Sequence, residues 1–239
     1  MTNFKISEIS QNAVYAVVAS ATTVAMLFMG FFLAEPSVSR AQLVDTSNSF
    51  TISQTITGET SFLVEPTNVT MAGGGINGLT GGNATGSTQF SVLSNNPTGY
   101  YVNIAFDDNA GAHAMYGDVT GDDGIRDYDE STPGTADFGF TASTAAQFAY
   151  SVISSTTADT SSNFDHNGSA CNSSPDTDAD LSCWKAPTIA EYEIVNRSTS
   201  AVTGATSTIV FKVDVPSGAD PAPLADTYTA TATLTLYLQ

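Results

Sequence analysis

The chain contains few basic residues, and this scarcity limits the partners it can have. Only 6 of its 239 residues are Lys or Arg, against 24 Asp or Glu, which gives a formal net charge of −18 at pH 7. Nucleic acids and anionic lipid surfaces are themselves negative, so both repel such a chain. We therefore expect neither as a partner. The excess acid either attracts divalent cations or serves only to keep a secreted protein soluble.

Histidine is also scarce, which leaves little support for catalysis. His113 and His166 are the only two, and the chain has no G-x-S-x-G or H-E-x-x-H motif around which a hydrolytic site is commonly built. We therefore predict that the protein is not an enzyme. A secreted hydrolase is the least favoured of the functions considered below.

Cysteine occurs only at Cys171 and Cys183. Two thiols this far apart, without a nearby CxxC or HxxxH, make an incomplete zinc set. In an oxidising compartment the natural interpretation is one disulfide that closes a short loop, worth about 2–4 kcal/mol. We predict that disulfide.

The first 41 residues differ in character from the remainder. Residues 13–34 form an uncharged apolar run, and residues 39–41 place small side chains at the positions that a signal peptidase recognises, so Gln42 is the predicted mature N-terminus. The run is also long enough to cross a bilayer of about 30 Å, so a retained anchor through residues 13–34 is the alternative. In both cases residues 42–239 are predicted to be exported, and the protein to be extracellular or on the cell surface.

Period-two alternation indicates strands along most of residues 42–239. The segments predicted as strands are SFTISQTIT at 49–57, SFLVEP, TQFSVLS, GYYVNIAFD, QFAYSVIS at 147–154, AEYEIVN, STIVFKVDVP and the C-terminal TYTATATLTLYLQ. Residues 72–88 are rich in glycine and are predicted as loop, and NNPTG is predicted to join two strands as a hairpin. The sequence thus predicts an all-β fold, an antiparallel β-sandwich of the Ig-like or jelly-roll-like kind, in one domain with long acidic loops at 107–183.

One stretch of the acidic region resembles a dockerin-type calcium loop. Counting from Asp118, DVTGDDGIRDYD has the length and ligand order of that loop. The resemblance implies a structural calcium ion held by the predicted ligands Asp118, Thr120, Asp122, Gly124 and Asp129. The alternative is a solvated acidic turn. Asp176, Asp178 and Asp180 form a second acidic cluster, for which an exposed loop is the favoured interpretation.

Two further stretches resemble secreted bacterial β-sandwich surface proteins, among them WxL-like, spore-coat-U-like and pilin-like modules. FSVLSNNPTGYYVNI (90–104) and PLADTYTATATLTLYLQ (223–239) match the phrases that precede one core strand and form the closing strand in those families. The chain lacks the Trp-x-Leu motifs, and Asp226 stands where glycine is usual. The resemblance implies surface display rather than a reaction. The matching residues are Asn96, Gly99, Tyr100, Thr227, Tyr228 and Leu234.

The expected function is therefore that of an exported structural protein: a filament or surface-layer subunit, or an adhesin with a glycan or protein partner on a host or cell surface. Self-association could use the segment 43–57, whose residues Phe50, Ile52 and Ile56 suit a strand donated to the next subunit. The alternative is that this strand pairs within its own domain. The second expected class is a secreted carbohydrate-binding module, with stacking by Tyr100, Tyr101, Tyr116 and Trp184.

Overall fold

The structure, a computed structural model, describes residues 6–33, 49–72, 76–107, 113–119, 123–156, 159–173 and 181–239. The chain divides into two compact units, Met1–Gln54 and Thr55–Gln239. The first unit contains helix α1, Ile6–Leu33, which includes most of the apolar run. Among the described residues no helix is long and apolar enough to cross a bilayer. The predicted cleavage site lies in residues 34–48, outside the described part of the chain.

The second unit is built from strands. Their bounds are β1 Thr60–Val64, β2 Gly82–Ser94, β3 Tyr100–Phe106, β4 Met115–Gly117, β5 Gly124–Asp127, β6 Asp137–Phe138, β7 Gln147–Ser154, β8 Cys183–Trp184, β9 Tyr192–Arg197, β10 Ala201–Val215, β11 Tyr228–Ala230 and β12 Ala232–Leu238. Seven strands form one sheet in the order β1-β2-β10-β7-β5-β4-β11, three form another in the order β12-β3-β9, and β6 pairs with β8. A short 3-10 helix covers Ser162–Phe164. The prediction of a mainly β fold is confirmed.

Alternation of side chains explains why these segments become strands. In β3 the residues Tyr100, Val102, Ile104 and Phe106 are buried, while the residues between them are half-buried, as expected when one face of a strand lies on a core. β7 is buried along nearly its whole length because it lies inside the large sheet, between β10 and β5. All named pairings are antiparallel except that of β5 with β7, which is parallel.

One apolar core takes side chains from both larger sheets. Phe106 of β3 contacts three rings of the seven-stranded sheet, with centroid distances of 6.0 Å to Phe148, 5.3 Å to Tyr150 and 6.5 Å to Phe211. Val92 and Ile194 are also buried in this cluster. The predicted strands therefore supply the core, as their apolar periodicity requires.

Two predicted element boundaries are wrong. Residues 49–57 form no strand in the structure. The glycine-rich stretch is only partly loop, since β2 begins at Gly82 and pairs with β10 along its length. Pairing over many residues outweighs the low strand preference of two glycines.

Two predicted connections are also wrong. β2 and β3 belong to different sheets, so NNPTG is a crossover between sheets and not a hairpin turn. The C-terminal alternation is interrupted at Thr231: β11 pairs with β4 in the large sheet, whereas β12 pairs with β3 in the small one. A single period-two pattern can continue across such a break because both strands place alternate residues on the same core.

Candidate functional site

The predicted calcium loop begins after strand β4 and includes strand β5, which pair as a β-hairpin. β4 and β5 pair in the register Met115 with Ile125 and Tyr116 with Gly124, so Asp118 lies at the loop end of the hairpin. Asp129 follows the opposite end of β5, which at about 3.3 Å per residue separates the two carboxylates by more than about 10 Å. Oxygen ligands of a calcium ion usually lie about 2.3–2.6 Å from it. The structure therefore does not bring Asp118 and Asp129 together.

Of the other predicted ligands, only Gly124 lies within the described residues. Thr120 and Asp122 lie outside the described residues, and Gly124 is the first residue of β5. The described residues contain no group of three or more His, Cys, Asp or Glu side chains that could hold a metal ion. Calcium at this loop stays a prediction. The second cluster, Asp176 to Asp180, lies outside the described part of the chain.

Asp123 ties the hairpin tip to the C-terminal segment, a role that the sequence did not reveal. Its carboxylate accepts hydrogen bonds from the Tyr228 hydroxyl and from the Leu224 amide, the latter at 2.9 Å. Nearby, the Thr229 hydroxyl donates to Asp118 at 2.8 Å and Asp226 accepts from the Val119 amide at 2.9 Å. Burial, with the neighbouring Asp123 carboxylate, raises the pKa of Tyr228. Asp118 and Asp123 thus hold main-chain and hydroxyl groups of the C-terminal segment by hydrogen bonds.

A buried ion pair fixes the loop after β5. The Lys185 ammonium lies 2.5 Å from Glu130 Oε1, and the two side chains are 1% and 6% exposed. Glu130 also accepts from the amides of Ala186 at 2.9 Å and Gly134 at 2.6 Å, and Lys185 lies 4.8 Å above the ring of Tyr192. Each charge is therefore paired and hydrogen-bonded, as burial requires. This arrangement is structural.

The predicted disulfide is confirmed. Cys171 and Cys183 are bonded, with their Cα atoms 5.8 Å apart. Trp184 follows Cys183 in β8, and successive residues of a strand point to opposite faces. The Trp184 ring packs on that of Phe140, with the ring centroids 5.8 Å apart. Trp184 is 9% exposed and Tyr100 is 1% exposed, so neither can stack on a ligand. The prediction that Tyr100 and Trp184 form part of a carbohydrate-stacking surface is therefore wrong.

A different aromatic pair lies on the outer face of the small sheet. Tyr101 of β3 and Tyr237 of β12 are opposite each other in register and stack with centroids 4.8 Å apart. The Tyr237 hydroxyl donates to Glu191 at 2.8 Å, and Asn103 donates to the same carboxylate at 3.0 Å. These two hydrogen bonds, that of Asn103 first, lower the pKa of Glu191. We call these four residues the Tyr101 face.

The predicted donor segment is exposed. Phe50, Ile52 and Ile56 are 83%, 85% and 82% exposed, and no secondary structure covers residues 49–59. Its C-terminal end is held by Asn95, whose side chain accepts from the Glu59 amide at 2.6 Å and donates to the Thr57 carbonyl at 3.2 Å. The apolar side chains of this period-two pattern are therefore exposed.

The two stretches that carry the family resemblance meet in the structure. Asn96 donates to the carbonyls of Gly99 at 2.8 Å and of Gln239 at 2.9 Å, so the crossover after β2 holds the end of β12. Gly99 has φ +87°, and a Cβ there would lie 1.7 Å from the Arg197 carbonyl oxygen. Only glycine fits. These residues have structural roles here.

Comparison with protein-family models, curated proteins and solved structures found no match for this chain. The functional proposals below therefore rest on its own residues.

Proposed function

We propose that this protein is an exported structural subunit with a β-sandwich fold, displayed on a cell surface, which associates with copies of itself through residues 43–57. The apolar run near the N-terminus and the disulfide between Cys171 and Cys183 support export, since disulfides persist in oxidising compartments. The ring contacts of Phe106 in β3 with Phe148 and Tyr150 of the large sheet support a sandwich. The low content of charged residues, 13%, is typical of extracellular β-proteins.

The exposed apolar side chains of the N-terminal segment carry this proposal. Phe50, Ile52 and Ile56 alternate at period two and are each more than four-fifths exposed. Burying such a side chain stabilises a complex by about 1.5–3 kcal/mol. Residues 49–58 carry no charge, which lets them approach another molecule with a net charge of −18. A strand donated to a sheet edge uses both features, since main-chain hydrogen bonds supply affinity and alternate side chains supply register.

The test replaces the three apolar side chains together, as Phe50→Ser, Ile52→Ser and Ile56→Ser. We expect the full wild-type chain to form oligomers or filaments in light scattering and negative-stain microscopy, and the triple variant to remain monomeric. Since these side chains are exposed, the variant should unfold within a few degrees of the wild type.

The matched control is Ile189→Ser, which removes an apolar side chain that is 66% exposed elsewhere on the second unit. It should assemble as the wild type does. A wild-type chain that stays monomeric at high concentration would refute the proposal.

The Tyr101 face favours a second function, binding of a carbohydrate. A pyranose ring presents C–H groups that pack on an aromatic ring and hydroxyls that donate to carboxylate and amide oxygens. The stacked Tyr101 and Tyr237, both half-buried, and the exposed Glu191 beside them supply these groups on the outer face of the small sheet. This arrangement replaces the predicted set that included Tyr100 and Trp184.

A glycan array tests this second function. If the face binds sugar, Tyr101→Ala should weaken binding at least about tenfold, a change of about 1.4 kcal/mol. Tyr116→Ala, which alters a half-buried tyrosine on β4, is the control and should bind as the wild type does. Binding that is equal in both variants would exclude the Tyr101 face as the site.

A further inference from the structure

A short turn beside the disulfide contains the dipeptide Asn167–Gly168, in which the asparagine is exposed. Asparagine followed by glycine is chemically reactive, because the glycine nitrogen reaches the side-chain carbonyl carbon of the asparagine without hindrance from a side chain of its own. The chain has a second such dipeptide, Asn77–Gly78. The two dipeptides differ in the groups that surround them.

An imidazole lies against the attacking nitrogen of the first dipeptide. The Gly168 amide donates to Nδ1 of His166 at 3.1 Å, which in a neutral ring places the proton on Nε2. The His166 side chain is buried, with 2% of the residue exposed, and its ring packs against Phe138 with the ring centroids 5.3 Å apart. Packing therefore holds Nδ1 towards the amide. An imidazole nitrogen in this position is a base for the proton that the amide loses when it attacks.

Three donors surround the side-chain oxygen of Asn167. Its Oδ1 accepts from the Ser169 amide at 3.1 Å, from the Ser169 hydroxyl at 3.0 Å and from the Ala170 amide at 3.0 Å. Attack on Cγ makes this oxygen an oxyanion, and donors that are already in place stabilise such a charge as it forms. The turn thus holds a base for the nucleophile and donors for the carbonyl that it attacks.

The main chain holds these groups in one arrangement. The Asn167 amide donates to the Ala170 carbonyl at 3.2 Å, and His166 pairs with Cys171, one half of the disulfide, as an isolated β-bridge. Gly168 has φ +88°, which glycine adopts without strain. Reaction between groups that are held in this way avoids the entropic cost of bringing them together.

From this arrangement we infer that Asn167 is a site of self-modification, with His166 as its base. The Gly168 nitrogen bonds to Cγ of Asn167 while its proton passes to Nδ1 of His166. The bond between Cγ and Nδ2 then breaks, and the nitrogen takes up that proton and leaves as ammonia. The product is a cyclic succinimide. Water adds to either of its carbonyls and opens the ring, which gives aspartate or isoaspartate at position 167.

The change is irreversible and alters the turn next to the disulfide. Both products add a negative charge to a chain whose formal charge is −18. Isoaspartate also adds a methylene group to the main chain between His166 and Cys171, the two residues of the bridge. The inference is independent of the proposed self-association, since it concerns a single chain.

The two dipeptides can be compared within one sample. Asn77 is also exposed and its Oδ1 accepts from the Leu79 amide at 2.9 Å, but among the described residues the Gly78 amide has no hydrogen bond to an imidazole. Peptide mapping by mass spectrometry follows both sites in the full, disulfide-bonded chain during incubation at neutral pH. In the folded chain Asn167 should react at least about tenfold faster than Asn77, as expected for general base catalysis. In guanidinium chloride, which removes both turns, the two rates should become similar.

The variant His166→Gln separates the base from the hydrogen bond. A glutamine oxygen can still accept from the Gly168 amide, but it does not take up a proton. The rate at Asn167 should therefore fall at least about tenfold, while the rate at Asn77 and the melting temperature stay near the wild-type values. The matched control is His113→Gln, which replaces the other histidine of the chain and should leave both rates unchanged.

Two results would overturn the inference. One is a smaller ratio of the two rates in the folded chain, or a rate at Asn167 that rises in guanidinium chloride, and this result does not require that any variant folds. The other is an equal rate at Asn167 in His166→Gln and in the wild type, because the imidazole would then not be the base.

Discussion

Lys185 is buried in the second unit although its ammonium is charged. Glu130 neutralises it, and the ring of Tyr192 covers it. Removing one partner of such a pair leaves the other charge buried and unpaired, which costs about 3–5 kcal/mol. We therefore expect Lys185→Met to lower the free energy of unfolding by about that amount. Urea unfolding followed by the fluorescence of Trp184, the single tryptophan, measures the loss.

The double variant Lys185→Met with Glu130→Gln is the control. Glutamine keeps an oxygen that can accept from the Ala186 amide and removes the stranded charge. The double variant should therefore be more stable than Lys185→Met alone. Equal stability of the two would show that charge burial is not the cause of the loss.

Two buried tyrosines and one partly buried tyrosine, Tyr192, predict the behaviour at high pH. Burial first, with the Asp159 carboxylate next, raises the pKa of Tyr100 to about 12, and burial with the Glu130 and Glu193 carboxylates raises that of Tyr192 to about 12. Burial also raises the pKa of Tyr150 well above its usual value. Between pH 10 and 12 the unfolded chain loses protons that the folded chain keeps. This stabilisation is complete below pH 10 and is lost as the pH rises towards 12.

Urea midpoints at pH 8, 10 and 11, with tyrosinate absorbance near 295 nm, check this prediction. Stability should be equal at the first two values within error and lower at pH 11, because each such group contributes about 1.4 kcal/mol per pH unit. An unchanged midpoint at pH 11 would contradict the burial of these rings.

Most individual roles at the hairpin tip could not be predicted from sequence. Asp118 and Asp129 have the spacing of calcium ligands, and spacing carries no information about the pairing of β4 with β5 that separates them. Asp123 departed from the calcium pattern, and its partners Leu224 and Tyr228 are about a hundred positions away in the chain. The disulfide was predictable because only two cysteines exist.

Strand existence was more predictable than strand pairing. β7 has the predicted bounds, β3 lies within its predicted segment and β9 extends one residue beyond its own, to Arg197, because apolar alternation reflects burial of one face. Pairing depends on contacts distant in sequence. NNPTG has the composition of a hairpin turn but connects two sheets, and Gly99 fits there because the Arg197 carbonyl leaves no room for a side chain.

The N-terminal segment shows the reverse case. Its alternation predicts a strand at 49–57, yet the structure of a single chain has none there, and Phe50, Ile52 and Ile56 are exposed. A period-two pattern specifies a strand with one buried face and does not specify which molecule covers that face. The mismatch between pattern and structure is the main support for self-association.

For the molecule as a whole, charge and assembly are connected. Copies with a formal charge of −18 repel one another, while residues 49–58 carry no charge. Salt screens the repulsion and leaves burial of apolar side chains largely intact. Association through residues 49–58 should therefore strengthen as salt is added, the opposite of association through ion pairs.

Sedimentation equilibrium of the full chain at about 20 mM and about 500 mM sodium chloride tests this central claim most directly, with screening lengths of roughly 20 Å and 4 Å. The account predicts self-association that is stronger at high salt, and no association at either salt for the variant with Phe50→Ser, Ile52→Ser and Ile56→Ser. A wild-type chain that is monomeric at both salt concentrations, or one whose association weakens as salt is added, would contradict it.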